Sequence, residues 1–281
     1  MSAPPTLGIL AGGGPIPGQV AAAARAAGRD VFIVGLEGFA QAAVIAPYKH
    51  EVIRIGAVSR ILAALRANGC QDLVMIGAVR RPSIFDLRPD AEGARLLARA
   101  GRMAFSGDDG LLAAVVRVLG ENGFRVIGAH EILQEALGPR GVLTRVSPDA
   151  QAMADIERGV AVVRALGTVD VGQCCVVQQG FVLAVEAVEG TDAMLSRCGD
   201  LARSGPGGVL IKLVKPNQER RADLPTIGPV TIQGAIAAGL RGVAFEAEGT
   251  ILADKDACIA AADAAGLFLL GLDPETVHRE K

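Results

Sequence analysis

T-L-G-I-L-A-G-G-G-P-I-P-G-Q-V-A-A-A-A-R-A-A-G-R-D-V-F-I-V, Thr6–Val34, decides the fold class. Thr6–Leu10 is a short apolar run that predicts a buried strand. Ala11-Gly12-Gly13-Gly14-Pro15 breaks it, because glycine and proline punctuate regular structure. Gln19–Ala27 then carries an alanine-rich helical stretch that Gly28 ends, and Val31–Val34 is a second apolar strand. A strand, a glycine turn, a helix and another buried strand make a βαβ unit, which places the two strands parallel in one sheet.

Working outward, the same rhythm continues. Val58–Ala67 predicts a helix ended by Asn68-Gly69, Asp72–Ile76 a third strand ended by Gly77, Asp108–Glu121 a helix and Arg125–Ile127 a further strand. The texture then changes. Gly138-Pro139-Arg140-Gly141 is rich in turn residues, and Ser147-Pro148 precedes a helix over Asp149–Leu166. Cys174–Gln178 and Val182–Val188 read as a β-hairpin about Gln179-Gly180-Phe181. Gly208–Leu213, Gly242–Phe245 and Leu267–Leu270 read as strands, and Ile227–Leu240 and Lys255–Ala265 as helices. The expectation is an α/β protein with an N-terminal Rossmann-like parallel-sheet domain over 1–132, a linker over 133–148, and a C-terminal α/β domain with a mixed sheet over 149–281 that carries the metal and catalytic residues.

Composition narrows the function classes. The 281 residues exceed what one core usually serves. Hydrophobic residues make up 51% and aromatics only 3%, so the cores rest on Ala, Val, Leu and Ile, and exposed rings for base stacking are scarce. A net charge of −2 with no polybasic tract argues against nucleic acid as a partner. The five cysteines are irregularly spaced and include no C-x-x-C, which points to reduced thiols and a cytoplasmic setting. Met1–Pro5 lacks a charged n-region, and no apolar run is long enough to span a bilayer.

Four stretches can carry chemistry. Gly12-Gly13-Gly14-Pro15 follows a strand, where bare backbone can approach a phosphate or form a plain tight turn. Asp108-Asp109 are either metal ligands or first-turn helix charges. Glu186-Ala187-Val188-Glu189-Gly190-Thr191-Asp192 brings three acids to a strand end, which either call for a metal or a cationic neighbour or form a plain acidic strand–helix turn; Thr191 is placed to cap the next helix. Lys212–Pro229 gathers Lys212, Lys215, Gln218, Arg220, Arg221 and Asp223 in a loop shaped by three prolines, where cations can grip phosphates. The three histidines are far apart, and no P-loop or G-x-S-x-G elbow occurs. Carboxylates, lysines, arginines, glutamine and glycines suit Mg²⁺, which takes few protein ligands and several phosphate oxygens.

These stretches resemble the UDP-2,3-diacylglucosamine pyrophosphatase family of the LpxI type, which acts in lipid A synthesis. The resemblance rests on G-I-L-A-G-G-G-P-I-P at Gly8–Pro17, I-G-A-V-R-R-P at Ile76–Pro82, G-D-D-G-L-L at Gly107–Leu112 and G-A-H-E at Gly128–Glu131. It continues through D-V-G-Q at Asp170–Gln173, A-V-E-A-V-E-G-T-D-A-M-L-S-R at Ala184–Arg197 and the Lys215–Gly228 segment, nearly end to end. Glu219 stands where the family pattern has Asp. The resemblance implies Mg²⁺-dependent hydrolysis of the substrate to UMP and 2,3-diacylglucosamine 1-phosphate (lipid X), with water attacking the β-phosphorus. It marks Asp223 as the essential metal-linked residue with Glu219 beside it, and Glu189 and Asp192 as secondary catalytic candidates. Gln173, Thr191, Lys212, Lys215 and Arg220 are the expected substrate-binding side chains, and Gly12, Gly13, Gly14 and Gly77 the expected lining of a cleft between domains. A lipid substrate implies peripheral contact with the inner face of the inner membrane. A homodimer stays open. So do two other readings: a non-catalytic nucleotide-sugar or glycolipid binder, and a dinucleotide-dependent enzyme using the glycine loop.

Overall fold

The computed structural model describes residues 4–79, 87–100, 108–216 and 218–277. The chain forms two compact units, Met1–Gln134 with Glu219–Asp223, and Glu135–Gln218 with Leu224–Lys281.

The first unit contains β1 (Thr6–Ala11), α1 (Ile16–Ala26), β2 (Val31–Leu36), α2 (Ala42–Ile45), β3 (Lys49–Ile53), α3 (Val58–Ala67) and β4 (Cys70–Ile76), followed by α4 (Ala91–Ala100), α5 (Asp108–Glu121), β5 (Arg125–Val126) and α6 (Ala129–Ile132). Its five strands run parallel in the order β3-β2-β1-β4-β5. All six residues of β2 are buried, as a strand covered on both faces requires. Phe32, Val34, Leu62, Leu65, Leu73 and Phe124 form the centre of one core. Helix α1 begins three residues before the expected Gln19. Pro17 falls in its first turn, where a missing N–H removes no helical hydrogen bond. The strand order reverses between β1 and β4, so the turns after these two strands sit at the sheet's switch point, where α/β sheets place ligands.

The second unit contains β6 (Gly141–Val142), α7 (Ala150–Thr168), β7 (Cys174–Gln178), β8 (Phe181–Val185), α8 (Thr191–Cys198), β9 (Val209–Lys212) and β10 (Thr226–Ile227), followed by α9 (Pro229–Ala237), β11 (Gly242–Glu246), β12 (Ile251–Leu252), α10 (Lys255–Ala265) and β13 (Phe268–Leu272). Six strands form a mixed sheet in the order β6-β13-β11-β9-β7-β8. β13, β11 and β9 run parallel, while β6 and β7 run antiparallel to their neighbours. Strand alternation builds two cores. Cys175, Val177, Val209 and Ile211 pack with Ile156, Val160 and Val163 of α7. Cys174, Val176 and Leu210 face the other way, toward Met194, Ile232 and Ala262 of α8, α9 and α10. The hairpin turns at Gln179 and Gly180, both at positive φ (54° and 79°), the geometry that matches strand twist.

Several boundaries differ from the sequence reading for local reasons. Asp149 lies outside α7 as its cap, its carboxylate accepting the Ala152 N–H at 2.8 Å. β8 ends at Val185, because Glu186 turns inward. Thr226 and Ile227 pair with Ile251 and Leu252 as a two-residue parallel ladder, so α9 starts at Pro229. Within the stretch read as a linker, Gly141–Val142 is an edge strand hydrogen-bonded beside β13.

Candidate active site

A buried, hydrogen-bonded polar group of the second unit stands at the carboxyl end of β9. Lys212 is the last residue of that strand, in register with Cys174 of β7 and Phe245 of β11. Only 5% of it is exposed. Its Nζ donates to Thr191 Oγ1 at 2.9 Å and to the Thr226 carbonyl at 3.1 Å. The Thr191 hydroxyl in turn donates to Glu186 Oε1 at 2.6 Å, and Glu186 Oε2 accepts the Gln173 N–H at 3.0 Å. A buried carboxylate is costly unless such donors meet it. Thr191 does not cap α8 as expected. Gly190, at φ 80°, holds the cap position without a side-chain bond, and the Thr191 hydroxyl turns instead to Glu186 and Lys212.

A second group follows directly. Lys215 Nζ meets Asp170 Oδ1 at 2.5 Å, and the Lys215 N–H donates to Gln218 Oε1 at 2.9 Å. Gln218 Nε2 reaches Gln173 Oε1 at 3.3 Å. On the adjacent strand, Glu246 Oε2 accepts the Val214 N–H at 3.1 Å. Gln173, Thr191, Lys212 and Lys215, four of the expected substrate contacts, are therefore tied into one hydrogen-bonded array, Lys215 through its backbone N–H.

The other expected residues lie differently. Glu189 is paired with Arg197 at 2.8 Å, and that hydrogen bond holds its carboxyl below the usual range. Asp192 is exposed in the first turn of α8. The acids of 186–192 do not converge, since Glu186 is buried under Thr191 while Glu189 faces Arg197. Glu219 accepts Arg221 Nε at 2.8 Å and Nη2 at 2.7 Å, which lowers its carboxyl pKa. Arg220 is exposed and Asp223 half-buried. The Ala222 and Asp223 N–H groups both donate to the Glu219 carbonyl, closing a tight turn. This turn, Glu219–Asp223, clusters with the first unit, where Ala222 packs against the core.

The glycines of the first unit explain themselves by contact. Gly12 N–H donates to the Ile76 carbonyl at 2.9 Å, Gly13 N–H to Ala78 at 2.8 Å, and Ala78 N–H returns to Gly13 at 3.0 Å. A Cβ on Gly12 would lie 2.5 Å from the Gly77 carbonyl oxygen, and one on Gly77 2.7 Å from that of Gly13. The turns after β1 and β4 are thus zipped together, with two glycine N–H groups committed to carbonyls. Gly14, at φ 86°, borders open space.

The donor set bears on Mg²⁺. Among the described residues no three His, Cys, Asp or Glu side chains are placed to share an ion. An ion there would take few protein ligands together with phosphate oxygens and water. Asp223 is the carboxylate of this loop that the family resemblance marks for a metal, and Glu219 is engaged by Arg221. Cys174 and Cys175 are fully buried, and burial pushes the Cys175 thiol up to about 12, which removes it as a nucleophile. The Asp108 and Asp109 side chains and Arg80–Arg81 lie outside the described residues.

Sequence reading missed Asp170 and Glu246 as candidates and placed Glu186 in an acid cluster that calls for a metal or a cationic neighbour; the neighbour is Lys212, reached through Thr191. Asp170 did stand in a quoted stretch, D-V-G-Q. The one signal for Glu246 was its place at the carboxyl end of a strand.

Comparison with known proteins matches residues 6–136 to the family model described as LpxI N-terminal domain, and residues 139–270 to that described as LpxI C-terminal domain. A protein of Caulobacter vibrioides (strain ATCC 19089 / CIP 103742 / CB 15), named UDP-2,3-diacylglucosamine pyrophosphatase LpxI, is 45% identical over 275 residues. The match covers 96% of this chain and 98% of that protein.

Proposed function

The chain belongs to the LpxI family, and from that membership we propose that it is a hydrolase splitting the pyrophosphate bond of UDP-2,3-diacylglucosamine into UMP and 2,3-diacylglucosamine 1-phosphate. The observation that carries this reading on the chain's own residues is the setting of Lys212. It is a buried ammonium at a strand's carboxyl end, held by a hydroxyl and a carbonyl rather than neutralised by a directly bonded carboxylate. Such a cation suits a phosphate oxygen better than one already paired.

In the reaction we assign, water adds to the β-phosphorus, the bond to the bridging oxygen breaks, and UMP leaves with that oxygen. Lys212, Lys215 and Arg220 bind phosphate oxygens and stabilise the charge that builds on them. Thr191 holds Lys212, and Gln173 meets the substrate's polar groups. Asp223 would hold the metal ion, and it takes the proton of the attacking water. A bound Mg²⁺ would supply charge neutralisation on the diphosphate. Glu219, engaged by Arg221, has a supporting place beside Asp223. The two acyl chains bring the protein to a membrane surface; no helix among the described residues is long and apolar enough to cross a bilayer.

The test is Asp223→Ala, read as UMP release from UDP-2,3-diacylglucosamine. We expect turnover to fall at least about a hundredfold while substrate binding is retained. EDTA abolishes wild-type turnover and Mg²⁺ restores it. Near-normal turnover in the variant removes Asp223 from the mechanism, and full activity after thorough chelation removes the metal.

A further inference from the structure

We propose that Glu186 is a positioning residue of the phosphate-splitting site, acting through the Thr191 hydroxyl to fix the orientation of Lys212. The inference rests on the hydrolase reading above. Glu186, Thr191 and Lys212 are exposed by only 7%, 9% and 5%, so each has its hydrogen-bonding partners inside the protein. Their order is what matters. Glu186 Oε1 takes the Thr191 hydroxyl hydrogen at 2.6 Å, which turns the hydroxyl lone pairs toward Lys212 Nζ at 2.9 Å. The Thr226 carbonyl takes a second Nζ hydrogen at 3.1 Å. A lysine ammonium has three, and the third has no acceptor among the described residues. The carboxylate thus sits two hydrogen bonds from the ammonium. It supplies compensating charge without occupying the hydrogens that a phosphate would accept.

Direction makes the arrangement testable. Glu186 accepts two hydrogens, from Thr191 and from the Gln173 N–H at 3.0 Å. Glutamine at this position has one accepting oxygen and one donating nitrogen. If the nitrogen faces Thr191, the hydroxyl hydrogen must turn toward Lys212, donor against donor. If it faces Gln173, that N–H loses its acceptor. Thr191 sits at the first position of α8 yet leaves the helix uncapped, so its hydroxyl has no capping role that would account for its orientation.

The experiment measures kcat and KM for UMP release in Glu186→Gln, Thr191→Val, Thr191→Ser, Lys212→Met and the double variants of each of the first two with Lys212→Met. We expect Glu186→Gln and Thr191→Val each to lower kcat about tenfold to a hundredfold, with a smaller change in KM, since misplacing a reacting-site group acts mainly on turnover. Thr191→Ser keeps the hydroxyl and restores kcat. Neither Glu186→Gln nor Thr191→Val lowers kcat further once Lys212 is gone, because both act through it. Wild-type kcat in Glu186→Gln, or a full multiplicative loss on top of Lys212→Met, overturns the positioning role while leaving the hydrolase reading intact. If Glu186→Gln does not fold, Thr191→Val and its double variant decide alone by the same outcomes. Absence of UMP from the wild type defeats both readings.

Discussion

Two buried charges in this chain are handled in different ways, and the contrast shows what single residues do. Lys212 is separated from Glu186 by a hydroxyl. Asp72, 4% exposed, is instead clamped directly, by Arg125 Nε at 2.7 Å and Nη2 at 2.8 Å and by Arg29 Nη2 at 2.5 Å. It lies in β4 in register with Arg125 of β5, so its role is to fasten the sheet rather than to meet a ligand. The hydrogen bond from Arg125, then that from Arg29, holds the Asp72 carboxyl below the usual range. A depressed carboxyl pKa stabilises the fold above the unfolded value of about 3.9, and the contribution is lost as pH falls through the folded value. Asp72→Asn is therefore expected to cost about 3 kcal/mol at pH 7, where it leaves the largely buried Arg29 without its counter-charge. In urea titrations the gap between wild type and variant shrinks once the pH drops below about 4. A gap that stays constant into the acid range contradicts the assignment. Sequence reading singled out Lys212 in the cation-rich loop and took the roles of Asp223, Gln173 and Thr191 from the family resemblance. It could not see that Glu186 serves Lys212 or that Asp170 serves Lys215, since these links span strand register and not sequence spacing.

At the scale of elements, apolar periodicity revealed the buried strands and the alanine-rich helices, and register did the rest. β3 escaped because K-H-E-V-I is an edge strand with a single buried residue, Ile53, and reads as loop. The two-residue strands β6, β10 and β12 are too short to show a period. The glycine turn was legible as a feature, but its reason was not. Gly12 is required because β1 and β4 stay zipped together past their ends, with the Gly77 carbonyl against its Cα. Gly12→Ala would force a methyl to within 2.5 Å of backbone oxygen, which cannot rotate away. We expect a loss of about 1–3 kcal/mol and a clear drop in Tm. Gly14→Ala meets nothing within 4 Å and bears only the cost of positive φ, about 1 kcal/mol. Thermal melts of the two variants should rank them in that order, and equal or reversed losses would refute the zipped-turn account.

At the scale of the molecule, the alternation of strand and helix announced a parallel sheet in the first half and local strand pairing in the second, and both are present. The extent of the units was less legible, because it depends on contacts far apart in sequence. Gly141–Val142 extends the second sheet beside β13, and Glu219–Asp223 clusters with the first unit although it lies within the second half of the sequence. A fold of this kind hosts many activities, so the case for hydrolysis rests on the site and the family and not on the architecture.

The measurement that tests the central claim most directly is hydrolysis of UDP-2,3-diacylglucosamine by the purified protein in ¹⁸O-labelled water, with mass analysis of both products. Attack on the β-phosphorus predicts UMP without label and 2,3-diacylglucosamine 1-phosphate carrying one ¹⁸O on its phosphate. Label in UMP would contradict the assigned point of attack, and no UMP at all would contradict the proposed activity.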